Sequence, residues 1–282
     1  AGLTQPGKAG PVWTGEVRLN EQWLDQPLRW QRPRMIFVCA HGDLFHESVP
    51  DDWIDRVFAV MALAPQHTFQ VLTKRAGRMR KYFNGMAWGW CVMEAKKALD
   101  PSHRPGMGGL LETKGGALPN VWLGVSVEDQ ARADERIPDL LATPAAVRWV
   151  SAEPLLGPVD LGRVYATSEN GGTYLHEAPI FGLDWVVVGG ESGPGARPMH
   201  PDWARSLRDQ CAAAGVPFFF KQWGEWAPAP DDCRDFAAHR ARGGRDLAYL
   251  KPDLFAMELV GKRRAGRQLE GALHDAMPGG AA

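Results

Sequence analysis

"DWVVVGGESGPGARPMHPDWARSLRDQC" occupies Asp184–Cys211. A dry apolar run, Trp185–Val188, stops at Gly189 and Gly190 and then presents Glu191 and Ser192. Gly193, Pro194, Gly195 and Pro198 turn the chain. A helical pattern follows from about Pro201 to Ala214, with Trp203, Leu207 and Cys211 on its apolar side. A strand without polar alternation is covered on both faces, the situation of a strand in a parallel sheet. In parallel α/β folds the carboxyl ends of the strands are where ligands bind, so a carboxylate and a hydroxyl there raise the question of what they face.

The pattern recurs along the chain. Met35–Cys39 runs into "AHGDLFHESVPDD", and a helix is expected from about Pro50 to Ala64, with Ser48 as N-cap and Trp53, Ile54, Val57, Phe58 and Met61 as its apolar stripe. Phe69–Leu72 ends in Thr73, Lys74 and Arg75, before a basic helical stretch to about Tyr82. Val121–Val125 ends in Ser126, with Glu128 and Asp129 just beyond and a helix, kinked or restarted at Pro138, over Asp129–Leu141. Val147–Val150 leads to Ser151 and Glu153, and Val216–Phe220 leads to Lys221, Gln222 and Trp223. Six apolar strands mostly separated by helices predict an α/β fold, a TIM-like (β/α) barrel or partial barrel with parallel strands. A doubly wound open sheet is the alternative.

The expected organisation is an N-terminal lead-in over 1–30, a barrel-like core over 31–226 and a C-terminal extension over 227–282. The Gly/Pro-rich stretch at about 84–119 breaks the rhythm as an insertion or lid, with one short helix at Val92–Leu99. Tyr165–Phe181 is expected to be a surface excursion, and the chain after Trp226 reads as polar and irregular.

Composition narrows the classes. Of 282 residues 45% are hydrophobic, enough for a real core, and the formal net charge of -1 offers no global attraction for nucleic acid or membranes. No apolar run approaches the ~20 residues of a membrane span, and Ala1–Trp13 lacks the apolar core of a signal peptide, so a cytoplasmic protein is expected. Cys39, Cys91, Cys211 and Cys233 contain no CxxC pair; Cys39 and Cys211 read as buried structural thiols.

If the sheet is parallel, Asp43, Lys74, Ser126, Glu153, Glu191 and Lys221 share one rim, where ionic side chains can balance one another and bind a polar ligand. As isolated residues each reads equally well as a cap or surface charge. Gly189 and Gly190 would admit a ligand to the backbone, and Glu191 could take an amine or ribose hydroxyl. Lys74, Arg75 and Lys221 suit a carboxylate or phosphate. His41 and His46 flank Asp43 but match no metal-ligand spacing, so no metal site is expected. "GKRRAGR" at Gly261–Arg267 could touch phosphates, although a solvated basic tail is the simpler reading. No nucleophile and base stand at readable spacing.

Five blocks then stand in order: "PLRWQRPRMIFVCAHGDLFHESVPDDWIDRVFAVMALAPQHTFQVLTKR", "NVWLGVSVEDQ", "RWVSAEPLLGPVDL", "DWVVVGGESGPGARPMHPDWARSLRDQCAAAGVPFFFKQWGEW" and "GKRRAGRQLEG". From about Val17 to Pro278 the chain resembles an uncharacterised family of bacteria, phages and prophages, a phage protein family of unknown function with a three-cysteine motif. The resemblance implies three closely spaced cysteines ahead of the first block, similar to the ligand set of radical S-adenosylmethionine (radical SAM) enzymes on a partial TIM-like barrel. S-adenosylmethionine and a 4Fe-4S cluster are the cofactors it implies, and the polar rim would be the cofactor and substrate site. This chain begins at Ala1 with no cysteine before Cys39, so the expectation is a fragment or a member that has lost the cluster. The leading expectation is the barrel part of a radical-SAM-like enzyme, with a nucleic-acid or nucleotide substrate suggested by the phage association. A non-catalytic nucleotide- or nucleic-acid-binding protein using the same residues is the runner-up, and a phage structural or assembly protein the third.

Overall fold

The computed structural model describes residues 2–7, 10–85, 88–99, 117–167, 172–229 and 246–280. Its main sheet is parallel and contains β3 (Met35–Val38), β4 (Thr68–Thr73), β5 (Val121–Ser126), β6 (Val147–Ala152), β9 (Trp185–Gly189) and β10 (Phe218–Gln222). The strands hydrogen-bond in the order β10-β9-β6-β5-β4-β3. The order never reverses along the chain. A doubly wound sheet reverses at its switch point, whereas each strand of a (β/α) barrel is laid beside its predecessor. Six strands in one unbroken progression therefore make a partial TIM-like barrel, and the doubly wound alternative falls away. Residues 100–116 of the expected insertion lie outside the described residues.

Contacts divide the chain into two compact units, one of Ala1–Leu123 with Thr143–Ala146, the other of Gly124–Ala142 with Val147–Ala282. The first unit opens with an antiparallel hairpin, β1 (Thr4–Gly7) and β2 (Gly10–Trp13), and two single-turn helices, α1 (Glu21–Leu24) and α2 (Gln26–Arg29). Helix α3 (Asp51–Leu63) starts after Pro50, whose extended backbone takes the N-cap position, and Asp51 and Asp52 in its first turn complement the positive end of the helix dipole. Ser48 is not the cap; its N–H donates to His46 Nδ1 at 3.2 Å. Ile54, Phe58 and Met61 of α3 are buried as expected, together with Phe45, with Met79 and Phe83 of α4 (Ala76–Asn84), and with Val92 of α5 (Trp88–Leu99). Phe58 and Phe83 meet edge to face at 5.2 Å, a favourable aromatic geometry. Helix α5 begins four residues before its expected start.

Two expectations for this unit are corrected. Strand β3 is not a dry strand: it is last in the sheet order, and Met35 and Phe37 are 46% and 44% exposed. Cys39 is exposed rather than buried, because it lies one residue past the strand with φ of 55°.

In the second unit β6 pairs with β9 through Val150↔Val186, and β9 with β10 through Phe219↔Val187. Helix α6 (Gln130–Leu141) is capped by Asp129, whose carboxylate accepts the Arg132 N–H at 2.9 Å, and it runs through Pro138 without a restart. Helix α7 (Pro201–Ala214) has Pro201 in its first turn and ends at Gly215 in the left-handed conformation. Its buried face includes Leu207 and Cys211, and burial pushes the Cys211 thiol up to about 12.

The expected excursion at 165–181 contains a hairpin, β7 (Arg163–Thr167) and β8 (Thr173–Glu177), that exposes Tyr165, Tyr174 and Leu175. The chain after Trp226 is not irregular throughout. β11 (Trp226–Pro228), β12 (Leu247–Leu250) and β13 (Phe255–Leu259) form an antiparallel sheet in the order β11-β13-β12. Among the described residues no helix is long and apolar enough to cross a membrane.

Candidate strand-end site

The strand-end residues fall into two groups, one in each unit. In the first, Asp43 closes its own loop. Oδ1 accepts from Thr73 Oγ1 at 2.7 Å and the Phe45 N–H at 3.0 Å; Oδ2 accepts from the Lys74 N–H at 3.0 Å and Arg75 Nη1 at 3.2 Å. Four donors occupy the lone pairs of a carboxylate. Arg75 is further engaged by Glu47, at 3.3 Å from Nε, while Lys74 is exposed.

The second group lies at the ends of β5, β6, β9 and β10. Ser126 is buried and its carbonyl accepts Arg136 Nη1 at 2.8 Å. The same nitrogen reaches Glu128 Oε2 at 3.0 Å, with side-chain exposures of 9% for Arg136 and 12% for Glu128. Glu128 is thus one half of a buried ion pair. Glu153 follows β6, and its Oε2 accepts from Ser151 Oγ at 3.2 Å and Lys221 Nζ at 3.1 Å. Its Oε1 lies over Gly189, 2.5 Å from where a side chain's Cβ would stand, so any larger residue there would push the carboxylate aside. No protein donor to Oε1 is found among the described residues. Glu153 is 17% exposed and Lys221 54%, so a carboxylate sheltered at the strand ends is met by an ammonium open to solvent.

Gly190 and Glu191 have other partners. The backbone of Trp223 passes directly against Gly190. Glu191 takes the full fork of Arg197, with Nε on Oε2 and Nη2 on Oε1, both at 2.8 Å, and also the Arg197 N–H at 2.8 Å. This answers why β9 runs into a glutamate: Glu191 folds the Gly/Pro loop back on itself. Ser192 Oγ accepts from Gln222 Nε2 at 3.1 Å.

The Arg197 side chain, foremost through its hydrogen bonds, holds the Glu191 carboxyl below its ordinary value of 4.5. A carboxyl that binds its proton less readily when folded stabilises the fold above that ordinary value, and the contribution is lost as pH falls through the lower folded value. The melting-temperature difference between wild type and Glu191→Gln is therefore expected to be present near neutral pH and to shrink below pH 4.5. A difference independent of pH would reject the coupling.

Arg136, Arg197 and Glu225 are not singled out by the sequence, and Ser151 only as a strand-end residue. Arg197 had a local signal, an arginine six residues after Glu191 across a Gly/Pro turn. Arg136 and Glu225 had none, because their partners are chosen by helix packing and by a distant turn.

His46 Nδ1 is used by Ser48, as described, and no metal group forms there. Among the described residues the one group with ligand-like spacing is His200, Asp202 and Asp253. His200 Nδ1 accepts the Asp202 N–H at 3.1 Å, so Nε2 carries the proton and donates to Asp253 at 3.0 Å. Both nitrogens of this buried ring are spent on capping α7 and tethering Asp253. Cys39 follows β3, Cys91 is half-buried on α5 and Cys211 is buried on α7; Cys233 lies outside the described residues, and no ligand group among the described residues contains a cysteine.

An unreversed run of parallel strands with an ionic pair at their carboxyl ends defines a partial (β/α) barrel. The chain belongs to the family described as "Protein of unknown function (DUF5131)", whose profile matches residues 3–278. No curated protein and no solved structure matches it significantly.

Proposed function

We propose that the chain is the barrel part of a radical-SAM-like enzyme and that Glu153 and Lys221 receive the amino-acid end of S-adenosylmethionine. The observation that carries this reading is the divided Glu153 carboxylate: Oε2 is held by Ser151 and Lys221, while Oε1 stands over Gly189 with no protein donor among the described residues. An ammonium would donate to Oε1, and the exposed Lys221 would meet the adjoining carboxylate. The role is one of binding and orientation. No ligand group among the described residues contains a cysteine, and no step is routed through a cluster.

Titrating the protein with S-adenosylmethionine by calorimetry under anaerobic conditions tests this. A charge-assisted hydrogen bond contributes about 1.5–3 kcal/mol, so Glu153→Gln is expected to weaken binding by roughly 10- to 100-fold. Lys221→Ala is expected to do less, because its ammonium is screened by solvent. A folded Glu153→Gln that binds as wild type does, or a wild type that binds no S-adenosylmethionine, would overturn the assignment. Binding of ATP in its place, sensitive to the same variants, would favour the non-catalytic nucleotide-binding alternative.

A further inference from the structure

The turn Gly261–Arg267 holds four cations in seven residues of a chain whose net charge is -1. Elsewhere in the described residues arginines are commonly matched by carboxylates, as Arg75, Arg78, Arg136, Arg197, Arg205 and Arg208 are. Arg267 follows that rule with Asp275. Lys262, Arg263 and Arg264, the body of the single-turn helix α8 (Lys262–Ala265), do not: all three are exposed and none has a carboxylate within ion-pair distance among the described residues.

The carboxylate that anchors the turn is spent on backbone. Glu225 Oε2 accepts the Lys262 N–H at 3.0 Å and Oε1 the Gly193 N–H at 3.0 Å, while the Glu225 carbonyl accepts the N–H groups of Val260 and Gly261. At the other end the Gly266 carbonyl accepts the Trp223 N–H at 3.2 Å, and the Gln268 carbonyl accepts Trp223 Nε1 at 2.8 Å. Three cations with no carboxylate partner among the described residues are thus held on a turn tied at both ends to the segment directly after Lys221. Their mutual repulsion is tolerated in a backbone already ordered, so a polyanion would meet a prearranged surface.

We propose that this turn binds the phosphodiester backbone of a nucleic acid strand. A single phosphate is held by sheltered, convergent donors; three exposed cations in succession suit a polymer that releases its condensed counterions on contact. A membrane surface fits less well, because α8 (KRRA) has no large apolar side chain to enter a bilayer. The assignment does not depend on the strand-end site being a cofactor site.

The test is fluorescence anisotropy of the full chain with a labelled single-stranded oligonucleotide across a salt series. Neutralising three phosphates of a single strand predicts that affinity falls roughly 20-fold between 50 and 200 mM salt. The combined variant Lys262→Gln, Arg263→Gln and Arg264→Gln is expected to lose that salt-dependent binding while melting as wild type does, since all three side chains are exposed. Unchanged affinity and salt slope in the variant would overturn the proposal. So would a wild type that binds inorganic phosphate or phosphatidylserine vesicles but no oligonucleotide. Glu153→Gln is expected to leave oligonucleotide binding intact, so failure here and failure of the strand-end reading are separately visible.

Discussion

Gly190→Ala is expected to destabilise the protein by about 3 kcal/mol or more, the upper range for forced overpacking. A Cβ at position 190 would stand 1.9 Å from the Trp223 carbonyl oxygen and 2.6 Å from its carbon. The obstacle is backbone, which cannot rotate away as a side-chain end can. It is also pinned: the Gly190 N–H donates to the Gln222 carbonyl at 2.9 Å, and the Glu225 N–H to the Glu191 carbonyl at 3.0 Å. Relief would require parting the ends of β9 and β10, and with them the segments that carry Glu191 and Lys221. Thermal unfolding should show a fall of roughly 10 °C. Gly42→Ala is the control: nothing lies within 4 Å of its Cβ, and its φ is outside the left-handed region. If both variants melt alike, the close approach at Gly190 is not what holds the turn.

Arg136→Ala should cost about 3–5 kcal/mol, the range for removing one partner of a buried ion pair. The loss takes the Nη1 donor from both the Glu128 carboxylate and the Ser126 carbonyl at the end of β5. Arg136→Met combined with Glu128→Leu should recover much of the loss, because removing both charges leaves neither stranded. Chemical denaturation of the single and double variants measures this. A single variant within about 1 kcal/mol of wild type would mean the pair behaves as a solvent-screened surface bridge. Glu128 stands just past a strand end, where an ionic residue invites a ligand role; here the protein itself supplies the counterion.

These two sites show where sequence reading stopped. Glu128, Glu153 and Glu191 look alike along the chain, each an acid soon after an apolar run. Folded, one is neutralised by the helix that follows it, one by an arginine within its own loop, and one by a lysine 68 residues away. At Glu153 the Oε2 oxygen takes both side-chain donors, and no protein donor to Oε1 is found among the described residues. Likewise Ser48 had the chemistry of an N-cap, but Pro50, locked near the helical φ, set the start of α3. The sheet of β11, β12 and β13 escaped notice because its strands are short and mostly half-buried, leaving little alternation to read.

The sequence by itself determined the six apolar strands, the helices between them and the placing of polar residues just beyond the strand ends. Those features follow from short-range patterns: uninterrupted apolar runs, proline at a helix start and glycine at a helix end. Helix α7, expected from about Pro201 to Ala214, was legible because both of its ends carry such signals. Only the tertiary structure decided which ionic groups are consumed internally and which are offered outward. Ion pairs and hydrogen bonds depend on separations of a few ångströms, and those are set by the parallel register of β6, β9 and β10 and by the return of a distant turn onto Glu225.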